Sequence, residues 1–204
     1  MDKLFIRKAR RHLKKSDPVM AVLLDSVVPY AIARPKASRP PYYHTLVKSI
    51  LNQQLSVKAG RTIVDRLRRL QGGQYFNAQK LHALEDNMLR QCGVSANKMR
   101  YIRGLSQAVI SGELNFRKIT RQEDEIVRQT LIQYPGIGPW SADMFLIQAM
   151  GRPDVLPLGD LVLRKSIQRH YRLNDSTDEQ TYIRIAEAWR PYRTLASQYL
   201  WAAA

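Results

Sequence analysis

Apolar residues along this chain recur at three- and four-residue spacings, the period of a helix that turns one face inward. Phe5, Ala9 and Leu13 share one such face, and Leu23, Leu24, Val27 and Val28 predict a second, short helix. Pro29, Pro35, Pro40 and Pro41 punctuate the connection that follows. Leu46, Val47, Ile50 and Leu51 resume the helical period. Ser56 is placed to cap the next helix, which reaches about Leu70 with Ile63, Val64 and Leu67 inward, and Gly72–Gly73 breaks it. Leu81–Arg90 is a helical stretch ending near Cys92–Gly93, and Ser95 can cap Lys98–Ile110. Thr120 and Glu123 have capping-box spacing ahead of Ile126, Val127, Leu131 and Ile132. Pro135–Gly138 forms a compact turn, Trp140–Met150 is an apolar helix, and Pro153–Gly159 is a loop before Leu161–His170. Ser176 and Glu179 make a second capping-box pair, and Pro191 fits the first turn of a terminal helix through Trp201. No alternating β-run and no tandem repeat stands out, so the pattern predicts an all-α chain of about nine or ten helices.

Composition narrows the partners. The 204 residues suffice for one substantial core or two small lobes, and 45% apolar content favours a folded chain. There are 33 Lys and Arg against 17 Asp and Glu, a net charge of +16, which points to a polyanion and most simply to nucleic acid. Residues 1–69 hold 16 basic and 4 acidic side chains, a net of +12, so the front third reads as a contact face. The single cysteine, Cys92, excludes an intrachain disulfide and a four-cysteine zinc or iron–sulfur site. Neither a secretory signal nor an 18-residue apolar span is present, so no membrane role is expected.

The chemistry-bearing segment is Leu131-Ile132-Gln133-Tyr134-Pro135-Gly136-Ile137-Gly138-Pro139-Trp140-Ser141-Ala142. A helix enters a tight Pro-Gly-Ile-Gly turn and another helix starts at once. Gly136 and Gly138 permit close backbone approach, and amides at the second helix's N-terminus can receive a phosphate oxygen. Such contacts position a duplex without reading its sequence. A Gly-x-Gly turn alone is also a common structural turn, and the lysine and Ser or Thr of a nucleotide-binding loop are missing here. Asp160 follows Trp140 by 20 positions, near a helix start, where an acid by itself more often caps a helix or lies on the surface. Trp189-Arg190-Pro191-Tyr192-Arg193 supplies aromatic and cationic groups that could equally be terminal-helix packing.

Taken together, Ser49-Ile50-Leu51-Asn52-Gln53-Gln54-Leu55-Ser56, the hairpin, the spacing to Asp160 and the Trp189–Arg193 segment resemble the helix-hairpin-helix base-excision DNA glycosylases. The nearest resemblance is to the DNA-3-methyladenine glycosylase branch, which removes alkylated purines. It covers roughly residues 43–201.

The resemblance implies one glycosylase domain over residues 1–204, with two helical lobes around a DNA-binding cleft, the hairpin at about 126–150 and no added N-terminal β-domain. It implies that Asp160 is the catalytic carboxylate, which stabilises oxocarbenium-like charge on deoxyribose and orients water. Trp140, Trp189, Met144, Tyr134 and Tyr192 match base-pocket positions, and Gln54 with Leu55 beside it matches the wedge that fills the emptied stack. Gly136, Gly138, Trp140 and Ser141 match phosphate-binding positions, with Lys58 and Arg61 as further backbone contacts. The carbonyls of Ile132, Tyr134 and Ile137 match the ligands of a structural Na or K ion; no catalytic cofactor and no iron–sulfur cluster are implied. Trp140 stands where bifunctional relatives carry a lysine nucleophile, and an indole cannot form a Schiff base. The expectation is therefore a monomeric, monofunctional glycosylase for 3-methyladenine and 7-methylguanine in double-stranded DNA. It would be cytoplasmic in a bacterium and nuclear in a eukaryote. Two alternatives stay open, a non-enzymatic structure-selective DNA-binding protein and a glycosylase for another base lesion.

Overall fold

The computed structural model describes residues 3–28 and 41–204. Among these, thirteen α-helices and one π-helical segment are present and no strand occurs, as the apolar period predicts. In chain order they are α1 Lys3–Ser16, α2 Pro18–Ser26, α3 Tyr42–Asn52, α4 Val57–Gln71, α5 Ala78–Ala83, α6 Asp86–Gln91 and α7 Ala96–Ser111. There follow α8 Phe116–Ile119, α9 Asp124–Ile132, α10 Pro139–Met144, the π segment Phe145–Met150, α11 Leu161–Tyr171, α12 Glu179–Glu187 and α13 Arg193–Ala202. No helix among the described residues is long and apolar enough to cross a membrane. The expectations for Pro29, Pro35 and Pro40 lie outside the described residues.

The helix starts follow local chemistry. Ser56 accepts from the Ala59 amide and Ser95 from the Lys98 amide, so both expected caps form. Two expected boxes do not. Thr120 instead closes α8 by donating to the Phe116 carbonyl, and α9 starts from Glu123 without a side-chain cap. Asp178, not Ser176, caps α12 by accepting from the Thr181 amide. Leu81–Arg90 is two helices rather than one, and the apolar stretch after Trp140 changes from α to π geometry at Phe145. Pro191 precedes α13, which starts at Arg193 from an N-cap at Tyr192.

The chain divides into two compact units. One combines residues 3–28 with Gly151–Ala204, and the other spans residues 41–150. The basic front third is therefore not one body: its first part joins the C-terminal unit and its second part joins the hairpin.

In the first unit, Ala9, Leu13, Leu23 and Leu24 pack with Leu163, Ile167, Tyr182 and Leu195. Asp17 is the polar hub of that core. It caps α2 by accepting from the amides of Val19 and Met20 at 2.9 and 3.1 Å. Its other oxygen accepts from the Tyr171 hydroxyl at 2.5 Å and the Trp189 indole at 2.8 Å. Four donors compensate the burial of this carboxylate, which is 5% exposed. Burial, and then the Asp17 charge, push the Tyr171 hydroxyl well above the usual range, so it remains a donor.

In the second unit α3 is the central rod. Every residue from Tyr43 to Leu51 except Lys48 is buried. It packs against α4, α7, α10 and the π segment. Burying Leu46, Val47, Ile50 and Leu51 contributes roughly 1.5–3 kcal/mol each. Polar groups on this rod are matched in turn. The Tyr43 and Ser106 hydroxyls lie 2.6 Å apart, and burial pushes the Tyr43 phenol up to about 12.

His44, also on α3, accepts from the Phe76 amide through Nδ1 at 3.1 Å, so the ring is neutral. Burial, followed by the Lys48 and Arg68 charges, lowers its pKa to about 4 from an ordinary 6.5. A histidine whose folded pKa is depressed contributes full stability above pH 6.5 and loses it as pH falls toward 4. Urea midpoints measured across that window are expected to fall by an amount equivalent to about 3 kcal/mol. His44→Gln is expected to flatten that fall; an unchanged pH profile in the variant would refute the assignment.

Candidate nucleic-acid interface and catalytic carboxylate

The hairpin is built by α9, a six-residue turn and α10. Gly136 sits at φ +88°, a left-handed conformation that glycine adopts without strain. A Cβ on it would lie 2.5 Å from Cδ2 and 2.8 Å from Cβ of Tyr101, so the turn is pressed onto α7. The Gly136 carbonyl accepts from Gln53 Nε2 at 2.7 Å. Gly138 caps α10, Pro139 occupies the first helical position, and the first intrahelical bond runs from the Ala142 amide to the Gly138 carbonyl at 3.0 Å. The N–H groups of Trp140 and Ser141 therefore point beyond the helix N-terminus, toward where an anion would sit. The Ser141 side chain does not share that role. It is buried and its hydroxyl accepts from Ser49 at 2.8 Å, so only the backbone of Ser141 can meet a phosphate.

The two hairpin helices are tied by an ion pair. Arg128 Nε and Nη2 donate to one oxygen of the buried Asp143 at 3.0 and 2.7 Å, and Arg128 also reaches Glu125. Burial raises the Asp143 pKa, with Arg128 acting in the opposite direction. The α3 end is held from α7: Lys98 Nζ donates to the carbonyls of Leu51 and Gln53 at 2.8 Å each. Beyond that clamp, Gln54 is exposed and held at φ +55°. A non-glycine residue there carries strain on the order of 1 kcal/mol. Leu55 beside it is 38% exposed and Val57 is 91% exposed. Lys58 and Arg61 on α4 are exposed, with Arg61 3.9 Å from Asp65.

Asp160 belongs to the other unit and caps α11. Its Oδ1 accepts from the Leu163 amide at 2.8 Å and from the Trp201 indole N–H at 3.1 Å. The expected catalytic residue thus also acts as a cap, and its side chain is held from α11 and α13.

The five expected base-pocket residues divide between the units. Tyr134, Trp140 and Met144 lie with the hairpin; Trp189 and Tyr192 lie with Asp160. Two do not present a face for stacking. Trp189 is 0% exposed inside the core and spends its N–H on Asp17. Met144 is buried, and its sulfur accepts from Gln148 at 3.6 Å. Tyr134 is half-buried and donates to Glu113 at 3.1 Å; burial first, and then Glu113, raise its pKa. Tyr192 is half-buried with its ring against Phe5 and His12. Arg190 and Arg193 are engaged by Asp154, so the tail's cations serve internal pairing.

For the cation, α9 ends at Ile132, whose carbonyl follows the last intrahelical bond, and the Tyr134 carbonyl already accepts from the Ile137 amide at 3.0 Å. A carbonyl has a second lone pair, so an all-oxygen set of Ile132, Tyr134 and Ile137 fits a hard monovalent ion. Among the described residues no cluster of three His, Cys, Asp or Glu could hold a metal.

Sequence reasoning did not single out Gln53, Lys98, Tyr101, Arg128, Asp143, Asp17 or Trp201 for these contacts. Only Asp17 carried a local signal, since Asp-Pro is a cap followed by a first-turn proline.

A protein-family profile described as the HhH-GPD superfamily of base excision DNA repair proteins matches residues 47–191. DNA-3-methyladenine glycosylase 1 of Schizosaccharomyces pombe is 30% identical over 96% of this chain and 86% of its own length. A solved structure of an S. pombe 3-methyladenine DNA glycosylase with abasic DNA has a TM-score of 0.83 at 29% identity, covering 95% of each chain. Bacillus subtilis YfjP, provisionally named a DNA-3-methyladenine glycosylase, is 30% identical over 78% of this chain. The chain spans 58% of the YfjP length. This chain belongs to the HhH-GPD superfamily of base excision DNA repair proteins. Within it, the chain falls in the DNA-3-methyladenine glycosylase branch.

The fit of Gly136 against Tyr101 is testable by a double-mutant cycle. Gly136→Ala is expected to cost about 2–4 kcal/mol of stability, from positive φ and overpacking together. Tyr101→Ala removes the clash, so denaturation of the double variant is expected to show a coupling of roughly 1–3 kcal/mol. Strict additivity would disprove the close approach.

Proposed function

We propose that this chain is a monofunctional DNA glycosylase that hydrolyses the N-glycosidic bond of alkylated purines, 3-methyladenine and 7-methylguanine above all, in double-stranded DNA. The observation that carries the reading is the fixed carboxylate of Asp160 at the α11 N-terminus, in a chain of this family.

Alkylation at N3 or N7 leaves the purine positively charged and a better leaving group, so the chain's task is mainly to stabilise the sugar. As the bond to the base lengthens, positive charge grows on deoxyribose, and a fixed carboxylate beside it lowers the barrier. Oδ1 of Asp160 is oriented by two N–H donors, which limits the reorganisation needed when charge develops. The same carboxylate orients the attacking water, and the products are the free base and an abasic site. Trp140 at the lysine position leaves no amine for strand cleavage.

The nucleotide is extruded before reaction, and Gln54 with Leu55 fills the gap it leaves. The strained, exposed Gln54 supports this reading. Backbone amides of Gly136, Gly138, Trp140 and Ser141 receive phosphate oxygens, helped by Lys58 and Arg61. An ion at the Ile132, Tyr134 and Ile137 carbonyls would hold the hairpin turn and add positive charge near the phosphate. The half-buried rings available to the base are Trp140 and Tyr134 in the hairpin unit and Tyr192 in the other, while Trp189 and Met144 are buried in the cores of their own units. The protein acts as a monomer, wherever its cell keeps DNA.

Asp160→Asn tests the chemistry with little threat to the fold, because an Asn oxygen can accept the same two hydrogen bonds and caps a helix as well as Asp. Release of free 3-methyladenine from duplex DNA, followed by chromatography, is expected to fall on the order of 100-fold or more. Duplex binding is expected to persist. Undiminished release would sink the assignment of Asp160. No base release by the folded wild type, with DNA binding intact, would instead favour the non-enzymatic reading.

A further inference from the structure

Helix α1 carries a row of charge that no described carboxylate answers. Lys3, Arg7, Arg11 and Lys15 stand four residues apart and all are exposed. Four-residue spacing places them on one helical ridge. Exposed Lys8 lies beside the row. Among the described residues, no carboxylate pairs with Lys3, Arg7, Lys8, Arg11 or Lys15. The cations just off the row behave differently: Lys14 and Arg10 reach Asp25, and Arg10 also bonds the Leu24 carbonyl and the Tyr199 hydroxyl.

Such a row is unfavourable within the helix itself. Like charges at four-residue spacing repel along the whole row, and Lys3 in the first turn also opposes the helix dipole, which favours only Lys15 in the last turn. The first turn of α1 holds no acid to offset them. A local rule broken without an internal counterpart indicates an external one.

We propose that the exposed ridge of α1 is a second DNA-contacting surface, separate from the hairpin, which lies along the phosphates of one strand. Steps of four residues advance about 6 Å along a helix, so the row extends about 18 Å. A duplex strand presents a phosphate about every 3.4 Å of axis and at wider spacing along its own winding path, so a few phosphates lie within that reach. Flexible lysine and arginine stems can adjust to such a line. A membrane surface fits less well, since an interfacial helix inserts its apolar face. Here Ala9 and Leu13 are committed to the core of their own unit. The inference rests on DNA as the partner but not on Asp160 or the reaction.

The test compares the wild type with Arg7→Gln/Arg11→Gln/Lys15→Gln, and with a control of equal charge loss, Arg117→Gln/Lys118→Gln/Arg121→Gln. Glutamine keeps helix propensity and removes like-charge pairs, so the α1 variant is expected to melt no lower than the wild type. Affinity for an undamaged duplex is read by fluorescence anisotropy across a salt series. The plot of log affinity against log salt is expected to become shallower by about 2.7 in the α1 variant, at about 0.9 per lost phosphate contact. The control is expected to change it by less than half as much. Single-turnover release of 3-methyladenine at saturating protein and low salt is expected to stay within about twofold, separating binding from chemistry. A slope unchanged in the α1 variant, or lowered equally in the control, overturns the proposal. So does α1-dependent binding to anionic vesicles or polyglutamate with the DNA slope intact. A wild type whose duplex affinity ignores salt overturns this inference and the DNA reading together.

Discussion

One ammonium group fixes the place from which the hairpin unit is organised. Lys98 reaches from α7 to the carbonyls of Leu51 and Gln53, where α3 ends and its last carbonyls lack helical partners. Burial lowers the pKa of this lysine, and the two carbonyls compensate part of that burial. The consequence runs outward in both directions. Gln53, held by its carbonyl, uses its amide to grip the Gly136 carbonyl, which sets the hairpin turn against Tyr101. Gln54, the next residue, is forced into the left-handed region and out to solvent. The hairpin turn and the exposed Gln54 are thus joined through one helix terminus.

The other unit solves a comparable problem with a carboxylate. Asp17 starts α2 and at the same time ties Tyr171 and Trp189 into the core. This explains why the tryptophan of the Trp189–Arg193 segment is a structural residue: its N–H is needed by a buried acid. The aromatic donor that reaches Asp160 is Trp201, one helix later. Both acids combine helix capping with an indole bond. Asp17 is buried and meets four donors, whereas Asp160 is half-exposed.

What could be read from the sequence was what depends on near neighbours. The helical period gave the all-α class, and Ser56 and Ser95 capped where expected because a cap bond spans only three residues. The same logic failed at Thr120, which the end of α8 uses, and at Ser176, where Asp178 two residues later makes the cap. The hairpin and Asp160 were legible through a family resemblance rather than through periodicity. The clamp was not legible, since Lys98 meets Leu51 across 47 positions and Gln53 meets Gly136 across 83. The burial of Met144 and Trp189 was not legible for a related reason. Matching a motif identifies a position, whereas only packing decides whether an aromatic or sulfur group faces a cleft or a core.

The positive charge takes on a different meaning once the two units are separated. Read along the chain, residues 1–69 formed a single basic front; in the fold that front is split, and its halves belong to different bodies. Much of the remaining charge is internal, with Arg128, Arg190 and Arg193 holding carboxylates and Lys98 and Arg103 holding carbonyls. Exposed cations that no acid answers are therefore more informative than the total of +16. They coincide with places where the chain accepts a local cost, the repelling row on α1 and the strained Gln54 beyond α3. A stable fold tolerates such costs where a ligand offsets them. The two costs have complementary forms: a line of charge suits the repeating backbone of a polyanion, and a strained, exposed residue suits the insertion proposed above.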